Sequence, residues 1–260
     1  MNLAKRLFGG GIILFILIAI TYLGGIYFAI GFGIFSCIAV KELVNALKNL
    51  SYNVPLKFAM VINLFFVINA FSNHQNLFMF GFTSILIAIF VYMIFNKKYR
   101  MEDFFALLFV VTYVSIFMSS AIRINNKIYL YMLYIIAWGS DTFAYLTGST
   151  IGKHKIKSVE SISPHKTIEG FIGGVCGAVI LNLIYVNYVK LDKNILLVII
   201  FTIIAAFLSE TGDLVASFIK RKCKIKDYGN LIPGHGGILD RFDSILFISP
   251  CLYLFTLILS

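Results

Sequence analysis

The chain has 260 residues, of which 60% are apolar and only 13% charged, with a mean hydropathy of +0.91. A water-soluble domain of this length carries about a quarter charged residues, so a soluble globular fold is excluded and the membrane is the solvent for most of the chain. The net charge of +10 does not point to nucleic acid, because Lys and Arg sit in short stretches between apolar runs, an arrangement suited to anionic headgroups and phosphorylated substrates.

A helix that crosses the hydrocarbon core needs about 20 mostly apolar residues. In chain order, such runs lie near 8–24, 26–47, 55–71, 77–95, 103–122, 128–148, 168–189, 194–219 and 238–259. They predict an all-α integral membrane protein, a polytopic bundle of about nine transmembrane helices. The expected organisation is a single membrane domain over 1–260, with N-terminal helices over 1–125 and motif-bearing helices and cytoplasmic loops over 126–260. The first run follows Lys5 and Arg6 as a signal peptide would, but no small-residue cleavage pattern follows it, so it reads as a retained helix. Of the 22 Lys and Arg, all but Arg123, Lys127, Lys190 and Lys193 fall on one side with the N-terminus, which the positive-inside rule makes cytoplasmic. Cys37, Cys176, Cys223 and Cys251 are too dispersed to signal a zinc site or a disulfide framework.

Acids inside apolar runs demand an explanation, since a mid-helix acid costs about 2.5–3.5 kcal/mol on insertion scales. Asp141 lies in the sixth run, after Trp138-Gly139-Ser140. The eighth contains Glu210 and Asp213, followed by Ser217, Lys220 and Arg221, which share an arc of about 100° at helical spacing and form one polar stripe toward the cytoplasmic end. A packing stripe sealed by internal salt bridges is the plain alternative to a cation site. The ninth run opens Pro233-Gly234-His235-Gly236-Gly237-Ile238-Leu239-Asp240-Arg241-Phe242-Asp243. Its glycines allow the backbone to approach a ligand, and its helix start offers unpaired N–H groups to an anion. Asp240 and Asp243 share a face, and simple capping of the helix dipole is their alternative role. Together Glu210, Asp213, Asp240 and Asp243, beside many Lys and Arg, describe a site for Mg²⁺ and phosphate.

From Ser217 the chain reads Ser217-x-Ile219-Lys220-Arg221-x4-Lys226-Asp227-x-Gly229-x2-Ile232-Pro233-x-His235-Gly236-Gly237-Ile238-x-Asp240-Arg241-x-Asp243. This segment resembles the signature of the phosphatidate cytidylyltransferase family. Ser163-Pro164-His165-Lys166-Thr167-Ile168-Glu169-Gly170 is similar to a second family segment, with His165 where the family has a lysine, and Asp141-x-x-Ala144-Tyr145-x-x-Gly148 to a third. The motifs cover the C-terminal half; the first 125 residues are similar only as an array of apolar spans.

The resemblance implies conversion of CTP and phosphatidate to CDP-diacylglycerol and pyrophosphate in phospholipid biosynthesis. It also implies a Mg²⁺-dependent site at Asp213 and Asp240, with the identity of any second cation open, and a homodimer; the charge asymmetry places the active site on the cytoplasmic side of the cell (inner) membrane. In-line attack by a lipid phosphate oxygen on the α-phosphorus needs positioning and charge neutralisation rather than a nucleophilic side chain. Lys220, Arg221, Lys226 and Arg241 are candidates to neutralise phosphate charge, and Ser217 to donate a hydrogen bond or ligate the metal. Glu210 and Asp243 are candidate second ligands or outer partners. Lys166 and Thr167 read as a phosphate-contacting loop or as solvated loop residues, and His235 as a phosphate contact or a structural histidine. Asp227, Gly236 and Gly237 complete the substrate-binding candidates. The spacing of Gly170, Gly173, Gly174 and Gly177 suits close helix packing, or a dimer interface. Two rival functions are another CTP-dependent membrane enzyme, such as a polyprenol kinase, and an ion-coupled transporter, although no internal repeat supports transport.

Overall fold

The computed structural model describes residues 3–72, 75–232, 234 and 236–259; His74, Pro233 and His235 lie outside the described residues. Among the described residues the chain forms nine helical rods. They are α1 (Leu3–Leu23), α2 (Gly25–Lys48), α3 (Leu56–Ser72), α4 (Gln75–Phe95), a composite rod of α5 (Met101–Val110), a π-helical stretch (Val111–Ile116) and α6 (Phe117–Ile122), then α7 (Lys127–Ile151), α8 (Ile168–Tyr188), α9 (Ile195–Lys222) and α10 (Leu239–Leu259). Each expected apolar run coincides with one rod. The ends differ where polar residues continue a helix: α9 runs on through Lys220, Arg221 and Lys222, cations that the negative C-terminal end of a helix favours.

Five rods among the described residues are long and apolar enough to cross a membrane: α2, Met101–Ile122, α8, α9 and α10. α7 has a crossing length of 25 residues but carries the polar run Gly139-Ser140-Asp141-Thr142. The π-helical stretch has no counterpart in the sequence reading, because an extra residue in one turn leaves the apolar pattern continuous.

The chain divides into two compact units, Met1–Asn125 with Lys222–Arg241, and Asn126–Arg221 with Phe242–Ser260. In the first, α2 packs on α3, on the π-helical stretch and on α6, burying Phe32, Leu43, Phe66, Leu107 and Met118. Two pairs of polar groups in this core join different helices. Ser36 donates to Asn63 Oδ1 at 2.6 Å, and Arg123 Nη2 donates to Asn69 Oδ1 at 2.6 Å. Asp103 at the start of α5 accepts from Asn53 N at 2.7 Å and Arg100 N at 2.9 Å, fastening the α2–α3 connection.

In the second unit α7 and α8 are packed against each other along their length. The small residues of α8 permit this approach. A Cβ at Gly173 would strike Thr147 and one at Gly177 would strike Phe143, both on α7, while one at Gly174 would lie 2.9 Å from Ser140 O. The glycine stripe therefore serves packing between two helices of the same chain. Ser140 donates to Ser209 Oγ at 2.8 Å, joining α7 to α9, and Asn182 Nδ2 donates to Thr202 Oγ1 at 2.7 Å, joining α8 to α9. Phe201 and Phe255 stack at 4.0 Å between α9 and α10.

Gly177→Val is expected to lower the thermal midpoint in detergent, since overpacking a tight contact costs about 1–3 kcal/mol. Ile180→Val on the exposed face of the same helix should change stability by less than about 0.5 kcal/mol; equal behaviour of the two variants would refute the packing role.

Candidate active site

Glu210 and Asp213 are three residues apart on α9 and so share a face. The segment that meets them is the end of the 152–167 loop. Thr167 caps α8, its side chain accepting from Gly170 N at 3.1 Å, and this fixes where the preceding residue, Lys166, points. The Lys166 ammonium lies 2.7 Å from Glu210 Oε2 and 2.8 Å from Asp213 Oδ2. Side-chain exposure grades across the trio, at 2% for Glu210, 18% for Lys166 and 33% for Asp213, so the cluster opens outward at Asp213. Burial by itself lowers the pKa of Lys166, but Asp213 and Glu210 outweigh it and hold the ammonium above the ordinary lysine value. A raised folded-state pKa means that the ammonium contributes stability that is present at neutral pH and is lost as the pH rises through the folded-state value.

The three residues line a pocket of about 280 Å³ together with Asp141, Ala144, Tyr145, His165, Thr167, Gly170 and Phe171. Ser244 Oγ donates to Asp141 at 3.4 Å, and Asp141 is within electrostatic range of Asp243, Asp213 and Glu210. α10 reaches α9 at Gly212, where Asp243 O lies 2.6 Å from the place a Cβ would occupy. Asp141 thus lines the pocket, whereas the sequence marks it only as an intramembrane acid. Helical spacing within α7 carries no information about which other helix it faces.

The donor set fits a hard divalent cation. Three carboxylates of the pocket lining face one lysine, and Glu210 Oε1 is buried without a hydrogen-bond partner, lying 2.8 Å from the position of a Cβ on Gly174. No three His, Cys, Asp or Glu among the described residues are gathered closely enough to hold an ion by themselves. Mg²⁺ commonly takes one or two carboxylates and completes its shell with water and substrate phosphates.

Asp240 is organised differently, within the first unit. Its Oδ2 accepts from Tyr228 N at 2.8 Å and Gly237 N at 2.9 Å, closing the 228–237 loop on itself. Gly236 has φ +82°, a conformation that glycine adopts without strain, and a Cβ there would lie 2.7 Å from the same oxygen. The next amides, Ile238 N and Leu239 N, donate to Glu42 of α2 at 3.1 and 2.8 Å. The N–H groups expected to await a substrate anion are thus turned onto carboxylates of the chain itself. Glu42 was missed in the sequence; the available signal is that no other acidic residue precedes Glu102.

The remaining candidates divide by exposure. Lys226, Asp227, Arg221 and Arg241 are exposed, whereas Ser217 and Lys220 are half-buried. Arg221 Nε donates to Ile162 O at 3.4 Å, a second tie from α9 to the loop that carries Lys166. His165 lines the pocket.

Residues 4–259, nearly the whole chain, match the model of the family described as the cytidylyltransferase family. The chain belongs to this family. Among curated relatives, the phosphatidate cytidylyltransferase of Staphylococcus haemolyticus (strain JCSC1435) is 36% identical over 249 residues, covering 93% of this chain and 94% of that protein. Those of Staphylococcus epidermidis (strain ATCC 35984) and Staphylococcus aureus (strain COL) are 35% identical over 246 residues and 34% over 249, with the same shares covered. Membership in the cytidylyltransferase family therefore extends over the N-terminal helices, where motif resemblance alone reached only the C-terminal half.

Lys166→Met leaves Glu210 and Asp213 without their ammonium. It is expected to cost about 3 kcal/mol, the penalty for stripping a buried acid of its counter-charge, and to lower the thermal midpoint in detergent. An unchanged midpoint would show that the ion pair contributes nothing.

Proposed function

We propose that this enzyme transfers the cytidylyl group of CTP to phosphatidate, giving CDP-diacylglycerol and pyrophosphate for phospholipid biosynthesis. The observation that carries the reading is the acid pocket of Asp141, Glu210 and Asp213 around Lys166 at the start of α8, in a chain of the cytidylyltransferase family. A volume of about 280 Å³ suits the phosphate end of a substrate better than a whole nucleotide.

In this reading the reacting oxygen belongs to the lipid phosphate, and the chain supplies orientation and charge. Glu210 and Asp213, with Asp141 and Asp243 nearby, would hold Mg²⁺, and Asp240 is retained from the family resemblance as a further cation-handling acid. When bound, Mg²⁺ neutralises phosphate charge at the α-phosphorus and on the leaving pyrophosphate. Lys166 stands beside the pocket as a point charge able to pass from carboxylate to phosphate, and Thr167 keeps it there by capping α8. Lys220, Arg221, Lys226 and Arg241 neutralise the triphosphate and the lipid headgroup. Ser217 would donate a hydrogen bond to substrate at the same helix end, and Asp227, His235, Gly236 and Gly237 are kept as substrate contacts. We place the chain in the cell membrane as a homodimer, with the N-terminus and the 220–241 segment in the cytoplasm, as the basic-residue asymmetry favours.

Purified protein incubated with phosphatidate, Mg²⁺ and CTP should yield CDP-diacylglycerol. Label at the α-phosphate of CTP should enter lipid and label at the γ-phosphate should not; the reverse would make the chain a lipid kinase. Asp213→Asn and Asp240→Asn should each retain less than about a tenth of parental turnover in folded protein, since losing a ligand charge costs several kcal/mol of barrier.

Topology is tested separately. Cys223 is fully buried and reports nothing from either side, but Lys222 is exposed. Lys222→Cys should resist an impermeant thiol reagent on intact cells and react once the cells are opened. Reaction on intact cells would reverse the orientation.

A further inference from the structure

Three successive amides at the start of α10 are held by two acids distant in sequence. Gly237 N donates to Asp240, and Ile238 N and Leu239 N donate to Glu42. The Glu42 side chain is buried and belongs to α2, which lies 196 residues before Ile238. Two charge-assisted bonds at a helix N-terminus are a favourable setting for a carboxylate. They also offset the repulsion of Asp240, whose charge lies within range of Glu42. The loop is shaped around this carboxylate: a Cβ on Gly229 would lie 2.5 Å from Glu42 Oε1, and one on Gly237 would collide with the same side chain. Two glycines of the family-like segment are therefore accounted for by a residue outside it.

We propose that Glu42 is a positioning residue for the transfer reaction. It seats the first turn of α10 and the glycine loop, and thereby sets where Asp240 and Arg241 present their charges. Glu42 touches backbone amides rather than reacting atoms, so its effect on chemistry passes through Asp240 and Arg241. The kinetic part rests on the function proposed above; the structural part does not.

The test compares the parental protein with Glu42→Gln and Glu42→Asp, purified in detergent. Gln keeps the size but turns an NH₂ donor toward an N–H donor, whereas Asp keeps the charge with a shorter reach. Tryptic cleavage between 222 and 241 should be about tenfold faster in the Gln variant, as expected where local opening becomes easier, with Asp intermediate. In the folded fraction, kcat should fall by about a hundredfold, the usual effect of displacing a reacting group by about 1 Å, while KM for CTP changes much less. Asp should recover part of this loss. Should the Gln variant fail to fold, Gly237→Ala in the parental protein displaces Glu42 from the other side and is expected to reproduce both effects.

Equal cleavage rates would overturn the structural part whatever the reaction is. Faster cleavage with unchanged kcat per folded molecule would overturn the positioning role. Absence of CDP-diacylglycerol from the parental protein would strike the proposed function and leave the cleavage comparison to decide the loop.

Discussion

A carboxylate withdrawn from water must be given hydrogen-bond donors or an opposite charge, because an uncompensated buried charge costs more than most packing contacts return. Much of the polar architecture of this protein follows from that requirement. Asp103 takes the amides of Asn53 and Arg100 and ties down the α2–α3 connection. Glu42 and Asp240 take the amides of Tyr228, Gly237, Ile238 and Leu239 at the approach to α10. Glu210 and Asp213 take the ammonium of Lys166 and anchor the end of the 152–167 loop on α9. Each of these three segments is held by an acid projecting from a helix, and the helices are held by apolar packing.

The acids divide by the kind of partner they have. Backbone amides cannot leave without unfolding the turn that carries them, so Glu42 and the Oδ2 atom of Asp240 are committed to structure. A lysine ammonium on a flexible stem is exchangeable. Lys166, Glu210 and Asp213 line a pocket. Glu210 Oε1, buried without a partner, leaves acceptor capacity that the ion pair does not use. In the proposed reaction negative charge arrives with both phosphate-bearing substrates, which is the setting in which one lysine among three acids would matter.

The glycines show the same economy. In α8 they let α7 approach until Ser140, Ala144 and Gly174 are in contact, and that approach brings the α7 acid Asp141 into the pocket lined by Glu210 and Asp213. In the 228–237 loop they let the backbone close on two carboxylates. In both places a missing side chain positions a charge carried by another element, which is why the effect of a substitution there is expected to reach beyond its own neighbours.

Properties that depend on neighbours along the chain were legible from the sequence alone. Apolar runs located nine helical rods, because burying or solvating a helix in an apolar medium requires an unbroken run of suitable side chains. Helical spacing put Glu210 and Asp213 on one face, and motif resemblance led to the family that nearly the whole chain matches. What only the tertiary structure decided were the partners: Lys166 for Glu210 and Asp213, α7 for the α8 glycines, and Glu42 for the start of α10. A side chain's periodicity states which way it points from its own helix. It does not state what stands opposite, and for Glu42 and Leu239, 197 positions apart in the chain, that depends on how the helices pack.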